Sequence, residues 1–364
     1  MLIICFLLLI SYLILPVIFI TGWNKVPNFH TEDFLQPDIK ISVIIPLHNE
    51  EKNVKTLIQQ LIKQTHQPFE IILIDDHSTD STYNKLLELT TGEPVFKVLS
   101  SLEKGKKSAL KQAVYEATGA FIITTDADVE LPSEWIQNFA AFYSETKSDL
   151  IIGSVEMKEG TTFFDAMQRI EFVSLVASGA GACGAGMPVL CNGANLGFTK
   201  KAWLESQEHL RFDIPSGDDI FLLSSVKKRG GKISFLKSRN ALVKTFPATD
   251  IRHFIRQRQR WGGKSTAYTD FHLIYTALSI LLISITEIYL LICSFFSVHY
   301  LIAFLTIFLV KYVFDASLIQ TVSHFFEIKK PWIQSFYLST IYPFYIVIVA
   351  LKIIIKPGRV KTGW

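Results

Sequence analysis

Cysteine is scarce in this chain. Cys5, Cys183, Cys191 and Cys293 are the only four in 364 residues, and their spacings match neither a disulfide scaffold nor a structural zinc site. They read as small packing residues rather than reactive thiols. Also missing is any Gly-x-x-x-x-Gly-Lys-Ser/Thr loop, which argues against the phosphate cradle of an ATP-driven transporter. The two signs of charge nearly cancel, at +3 overall, so the total says little about partners. Charge is absent altogether from Leu2 to Ile20. A run of that length covers the hydrocarbon core of a bilayer. It lacks the basic n-region and the small-residue cleavage site of a signal peptide, so residues 1–22 are expected to form a transmembrane anchor.

Three further apolar runs follow Asp270. Phe271–Phe296 is broken only by Glu287, Leu301–Gln320 contains Lys311 and Asp315, and Ser335–Ile355 contains Lys352. Each is long enough to cross a membrane. Charges inside such runs snorkel or face the protein interior; lining a polar groove is the alternative for Glu287, Lys311 and Asp315. Before these runs the chain is crowded with Lys227, Lys228, Arg229, Lys232, Lys237, Arg239, Lys244, Arg252, Arg256, Arg258, Arg260 and Lys264. The positive-inside rule puts this stretch on the cytoplasmic side. Next to apolar spans, it suits lipid headgroups and phosphate ligands better than nucleic acid. The topology holds a conflict: four crossings leave both termini outside, whereas the basic tail Lys356–Lys361 favours the inside. One run is then re-entrant or interfacial, and Pro343 is a place where the last one breaks.

Between the membrane segments, after a juxtamembrane linker over Trp23–Asp38, the pattern alternates. Ile41–Pro46, Glu70–Asp75, Phe96–Leu99 and Ala120–Asp126 are compact apolar runs, as expected of buried parallel strands. Asn53–Gln64, Ser81–Thr90 and Ser108–Ala117 carry a helical period. Such alternation predicts a doubly wound α/β sheet, whose ligands bind at the carboxyl ends of the strands. Phe172–Thr199 has no charged residue but six glycines and Pro188. It reads as a buried helix running into a loop and strand beside the active site, with glycines that let backbone approach a bulky ligand; a small-residue transmembrane helix is the rival.

Polar clusters sit where that sheet would bind a ligand. Asp126-Ala127-Asp128 ends a strand, and two carboxylates flanking a small residue suit a hard divalent cation such as Mg²⁺ or Mn²⁺. Asp75-Asp76-His77-Ser78-Thr79-Asp80 ends another. Helix capping accounts for Ser78 and Asp80, but not for two adjacent acids. Pro46-Leu47-His48-Asn49-Glu50 ends a third, with His48 a lining or surface residue. Lys104-Gly105-Lys106-Lys107 precedes a helix, and a basic helix start suits an anionic ligand; the plainer reading is an exposed turn. Asp218-Asp219 opens an apolar helical stretch and is a helix cap unless a site uses it. Thr249–Gly262, with Gln257-Arg258-Gln259-Arg260-Trp261, is basic and amphipathic, so its default is an interfacial helix on anionic lipid.

Any one cluster is weak. Their ordered series, over roughly residues 38–265, resembles a membrane-embedded family 2 glycosyltransferase of ceramide glucosyltransferase-like or processive polysaccharide synthase-like type, whose late signature is Gln-x-x-Arg-Trp. The resemblance implies a GT-A nucleotide-sugar-binding, Rossmann-like α/β domain over 38–235. It implies a basic segment over 236–270 and about three C-terminal membrane segments over 271–356. The activity implied is inverting transfer of a sugar, from a nucleotide-sugar that is UDP-linked, to a hydroxyl of a membrane lipid at the cytoplasmic face. The alternative is processive synthesis of a β-linked polysaccharide, where a small membrane partner or a homo-oligomer would complete a channel. A non-enzymatic receptor is disfavoured because every acidic position is filled. By the same resemblance Asp128, with Asp126, holds the metal. Asp219, with Asp218, supplies the general base. Pro46, Asn49 and Glu50 lie against the nucleoside, and Asp75 and Asp76, Asp76 first, accept the uracil imide. Lys106 touches the nucleotide, Gln257 and Arg258 join the donor site, and Arg260 and Trp261 face diphosphate and acceptor.

Overall fold

The computed structural model describes residues 1–31, 39–214 and 216–355. The basic tail from Lys356 and residues 32–38 of the expected linker lie outside the described residues. In chain order the elements are α1 (Leu2–Lys25), β1 (Ile41–Leu47), α2 (Val54–Ile62), β2 (Glu70–Asp75), α3 (Thr82–Thr90), β3 (Phe96–Ser100), α4 (Lys106–Glu116), β4 (Phe121–Thr124), α5 (Trp135–Thr146), β5 (Leu150–Gly153) and β6 (Val155–Met157). Then follow α6 (Phe163–Gly184), β7 (Leu196–Thr199), α7 (Lys200–Leu204), α8 (Asp218–Lys228), β8 (Ile233–Leu236), β9 (Val243–Thr245), α9 (Ile251–Gly262), α10 (Phe271–Cys293), α11 (Val298–Val322) and α12 (Pro331–Ile355). They fall into two compact units. One comprises Met1–Val26, Glu159–Leu190 and the chain from Pro247; the other comprises Pro27–Lys158 and Cys191–Phe246.

The second unit is built on a seven-stranded sheet in the order β3-β2-β1-β4-β7-β5-β8. Strands β3, β2, β1 and β4 are mutually parallel, whereas β7 runs antiparallel between β4 and β5. The first four reproduce half of a doubly wound sheet, with the chain reversing its direction of travel at β1. Their residues are apolar on both faces because helices cover both: Val43, Ile45, Ile71, Leu73, Phe121 and Ile123 join one buried cluster with Leu57 of α2 and with Trp135 and Phe139 of α5. Strands β6 and β9 form a separate parallel pair.

The first unit is helical. Helices α1, α10, α11 and α12 have 23 to 25 residues and mean hydropathy of 2.0 to 3.0, long and apolar enough to cross a membrane. Helix α12 runs on through Pro343, so the expected break there does not occur; proline costs one backbone hydrogen bond, which apolar helices tolerate. Three of the charges in these helices turn inward and pair, while Lys25 and Lys352 near helix ends are exposed. Lys311 Nζ lies 2.8 Å from Asp315 and 4.0 Å from Glu287, and Tyr12 donates to Asp315 at 2.7 Å.

Helix α6 starts nine residues before the uncharged stretch, at a capping box in which Thr162 and Asp165 exchange hydrogen bonds of 3.1 Å. Two of its glycines serve α1. A methyl added at Gly181 would stand 2.2 Å from the Phe19 carbonyl oxygen, and one at Gly184 2.2 Å from that of Gly22. These two glycines therefore permit helix–helix approach, not the approach to a ligand expected from sequence. Gly181→Val should cost on the order of 3 kcal/mol through overpacking against backbone that cannot yield. The check is thermal unfolding of the purified protein in detergent; an unchanged midpoint would refute this packing.

Candidate active site

Parallel pairing brings three strand ends together. Leu47 of β1 is in register with Asp75 of β2, and β4 lies against the other side of β1, with Ile44 opposite Thr124. The segments 48–50, 75–80 and 125–128 therefore emerge side by side from the carboxyl edge. Physical ties hold them. Asn49 adopts a left-handed conformation, φ 57°, which asparagine tolerates. Its amide donates to Ser78 Oγ at 2.9 Å, and its side-chain oxygen accepts from the Thr79 amide at 2.8 Å. Ser78 therefore staples two loops rather than capping a helix. His48 Nδ1 hydrogen-bonds the Asp76 carbonyl oxygen at 2.7 Å.

The two adjacent acids have different surroundings. Asp76 is fully buried, and both its carboxylate oxygens accept from the Gly105 amide, at 2.8 and 2.9 Å. Asp75 accepts from the Ser78 amide through Oδ2 at 3.1 Å, while its Oδ1 is buried without a hydrogen-bond partner among the described residues. A buried acceptor left unmatched is costly.

Asp126 and Asp128 follow β4. Lys106 at the start of α4 donates to Asp126 Oδ1 at 2.5 Å, whereas Lys107 is spent on the fold, donating to the Leu210 and Arg211 carbonyls. Asp128 is exposed. Burial raises the Glu50 carboxyl above its ordinary range; the Asn53 amide opposes this, and the charges of Asp128, Asp126 and Asp80 add to it. The edge thus carries concentrated negative potential. Among the described residues no group of three or more His, Cys, Asp or Glu side chains is arranged for a metal. Two hard carboxylates fit Mg²⁺ or Mn²⁺ when ligand phosphates supply the remaining oxygens.

A turn unseen in the sequence joins the other acids to this edge. Residues 192–195 lead into β7, the antiparallel neighbour of β4: Thr124 Oγ1 donates to the Gly193 carbonyl at 3.3 Å and Thr125 Oγ1 to that of Ala194 at 2.7 Å. The Gly193 amide in turn donates to Asp219 Oδ2 at 3.2 Å. Asp218 and Asp219 occupy the first turn of α8, where the helix dipole favours carboxylates. Asn195 anchors the turn. It is fully buried, donates to the Ser154 and Ala241 carbonyls at 2.7 and 2.8 Å, and accepts from Trp135 Nε1 at 2.8 Å. Asn195→Ala would strand three buried groups and should cost about 3 kcal/mol or more. Denaturant unfolding should show it, and a loss below about 1 kcal/mol would refute the anchoring.

The Gln257–Trp261 motif belongs to the helical unit, on α9, which Asp250 caps by accepting from the His253 amide at 2.8 Å. Its residues divide. Arg252, His253 and Arg256 are exposed, while Arg258 is buried. The Arg258 guanidinium is bound on two nitrogens to Glu171 of α6 and on the third to Gln257. A partner 87 residues away in the chain leaves no periodic signal to find it by.

Residues 42–210 match the family model described as "Glycosyl transferase family 2". Dolichol-phosphate mannosyltransferase of Pyrococcus furiosus is 35% identical over 123 residues, covering 34% of this chain and 35% of that protein. Undecaprenyl-phosphate 4-deoxy-4-formamido-L-arabinose transferase of Serratia proteamaculans is 31% identical over 135 residues, covering 36% and 41%. The chain thus matches only about a third to two fifths of these curated relatives. In structure it is similar to mannosyltransferase PcManGT from Pyrobaculum calidifontis, solved with GDP-Man and Mn²⁺, at a TM-score of 0.56 and 16% identity, over 97% of this chain and 98% of that one. That likeness is one of fold. Residues 42–210 thus match family 2 glycosyltransferases, and the fold is a mixed α/β, GT-A Rossmann-like sheet with C-terminal apolar helices. The finer likeness to a ceramide glucosyltransferase is not what these relatives carry.

Proposed function

We propose that this chain transfers a sugar from a nucleotide-sugar to the phosphate of a polyprenol lipid, with inversion at the anomeric carbon. The observation that carries this reading is the convergence of Asp75, Glu50 and Asp126 at three adjacent strand ends, with Asp219 tied to the same edge through Gly193. The apolar helices support a membrane lipid as acceptor. The named acceptors of the relatives favour a phosphate over the hydroxyl expected from sequence.

In this reading the acceptor oxygen attacks the anomeric carbon as the bond to the nucleoside diphosphate breaks. Asp219 takes the proton of that oxygen when it carries one. Asp75 Oδ1 is the stronger acceptor for a base N–H, because the Asp76 carboxylate already accepts from Gly105, which reverses the order expected from sequence. Pro46 and Asn49 border the nucleoside. Asp126 and Asp128 would hold Mg²⁺ or Mn²⁺, which when bound neutralises charge on the departing diphosphate. Lys106, now paired with Asp126, is placed to exchange that carboxylate for phosphate. For Gln257, Arg260 and Trp261 the roles carried over are contact with donor and acceptor, on the chemistry of the motif alone. The basic stretch Lys227–Lys264 supports a cytoplasmic face for the catalytic unit.

The test supplies membranes with radiolabelled UDP- and GDP-sugars, with and without polyprenol phosphate. Label should enter an organic-extractable product that mild acid hydrolyses, and only when the lipid phosphate is present. Label in a high-molecular-weight polymer would overturn the reading in favour of a processive synthase. An acid-stable glycolipid would restore the hydroxyl acceptor.

A further inference from the structure

On α9 the side chains of Phe254, Arg258 and Trp261 share one face, at helical spacings of four and three. The Arg258 guanidinium carbon lies 4.4 Å from the Phe254 ring centre and 4.3 Å from that of Trp261. Its Nε donates to Glu171 Oε1 at 3.1 Å, its Nη2 to Glu171 Oε2, and its Nη1 to Gln257 Oε1 at 2.5 Å. Glu171 Oε1 also accepts from the Tyr345 hydroxyl of α12 at 2.8 Å. Tyr345 stacks edge-on against Phe254, 5.5 Å between ring centres, and Phe172 lies 6.1 Å from Trp261. All three members of the polar chain are buried: Glu171 is 2% exposed, and Arg258 and Tyr345 are 6%.

A buried ion pair is a poor way to gain stability, because desolvation offsets most of its attraction. What it does supply is direction. A bidentate carboxylate fixes the plane of the guanidinium, and that plane fixes the indole stacked upon it. All three guanidinium nitrogens are engaged within this unit, so Arg258 is poorly suited to the phosphate role its motif suggests.

We propose that Glu171 and Tyr345 are positioning residues that act through Arg258 to hold Trp261 in one orientation, so that the seating of α12 sets the geometry of the transfer motif. The kinetic part of this inference rests on the glycosyltransferase reading above; the structural part does not. Helix α12 is apolar enough to cross a membrane, and the clamp gives the motif a mechanical link to it.

The experiment uses the full chain in detergent or nanodiscs, labelled with 5-fluorotryptophan. Trp261→Phe assigns the Trp261 fluorine signal. Trp203, stacked on Phe198 in the other unit, reports whether the fold survives. Glu171→Gln and Arg258→Lys should shift and broaden the Trp261 signal and leave that of Trp203 in place. The turnover number should fall roughly tenfold to a hundredfold, with the donor KM within about twofold, since a misplacement of about 1 Å costs that much in rate. Tyr345→Phe removes a single hydrogen bond from a shape otherwise unchanged. It should move the Trp261 signal less, and it decides the matter if the other variants disturb Trp203. An unmoved Trp261 signal in Tyr345→Phe and in every variant that keeps Trp203 in place overturns the clamp. A moved signal with unchanged turnover overturns its role in transfer. Should the wild type transfer no sugar to lipid phosphate, the functional reading falls, while the fluorine signals still judge the clamp.

Discussion

Asp128→Ala is expected to reduce sugar transfer by a factor on the order of 10³, because a divalent cation on a departing diphosphate contributes several kcal/mol of charge stabilisation. The pair Asp126 and Asp128 is the only part of the proposed machinery whose chemistry demands a metal, and the surrounding potential favours one: the charges of Asp128 and Asp126 reach Glu50 and help raise its carboxyl. Calorimetry of nucleotide-sugar binding with and without Mg²⁺ or Mn²⁺ separates the terms. The wild type should show a large metal-dependent part in its affinity, and Asp128→Ala should lose that part while keeping the metal-free remainder. Relief of the local negative charge should also lower the Glu50 carboxyl when metal binds, which a titration followed by NMR would detect. Full activity in EDTA, or in the Asp128→Ala protein, would end the metal assignment.

Why these acids could be found without coordinates is a matter of strand chemistry. Strands β1, β2 and β4 are continuous apolar runs rich in β-branched residues, and such runs have few other uses in a domain of this size. Ile41, Glu70 and Asp75 bound their strands where the pattern put them. Once the strands are fixed, polar residues at their carboxyl ends follow. Strands β5 to β9 are only three or four residues long, too short for a period to emerge, so the antiparallel insertion of β7 and the turn at Asn192–Asn195 stayed hidden. The start of α6, nine residues ahead of the point where charge disappears at Phe172, is legible in principle: Thr162-Phe163-Phe164-Asp165 has the spacing of a capping box. Glu171 was out of reach. It adjoins an apolar stretch, and nothing in the sequence says that its partner is Arg258 of a motif with an obvious phosphate chemistry. Contiguity in the chain does not mean a shared face: Arg256, beside the motif, is exposed and Arg258 within it buried, on a helix turning 100° per residue.

Asp219→Asn should leave donor affinity unchanged and lower the turnover number, and the pH at which it does so identifies the acceptor. Asp219 accepts from the Gly193 amide through Oδ2 at 3.2 Å and from the Ile220 amide through Oδ1 at 2.7 Å; asparagine keeps the size of the side chain and one of these acceptors while losing the other and the ability to take a proton. A phosphate monoester has a second pKa of about 6. At pH 8 a lipid phosphate is therefore already dianionic and its attacking oxygen needs no base; near pH 5.5 most of it still carries a proton that must leave. The loss in Asp219→Asn should then be roughly 10²-fold at the lower pH and shrink to about tenfold or less at the higher, within the range that general-base catalysis spans. A hydroxyl acceptor keeps its proton across this whole range, so a loss of about 10²- to 10⁴-fold at every pH would show that the acceptor is an alcohol and overturn the phosphate. A collapse of donor affinity with turnover intact at saturation would instead make Asp219 a ligand of the nucleotide or its metal, and would pass the base to Asp218.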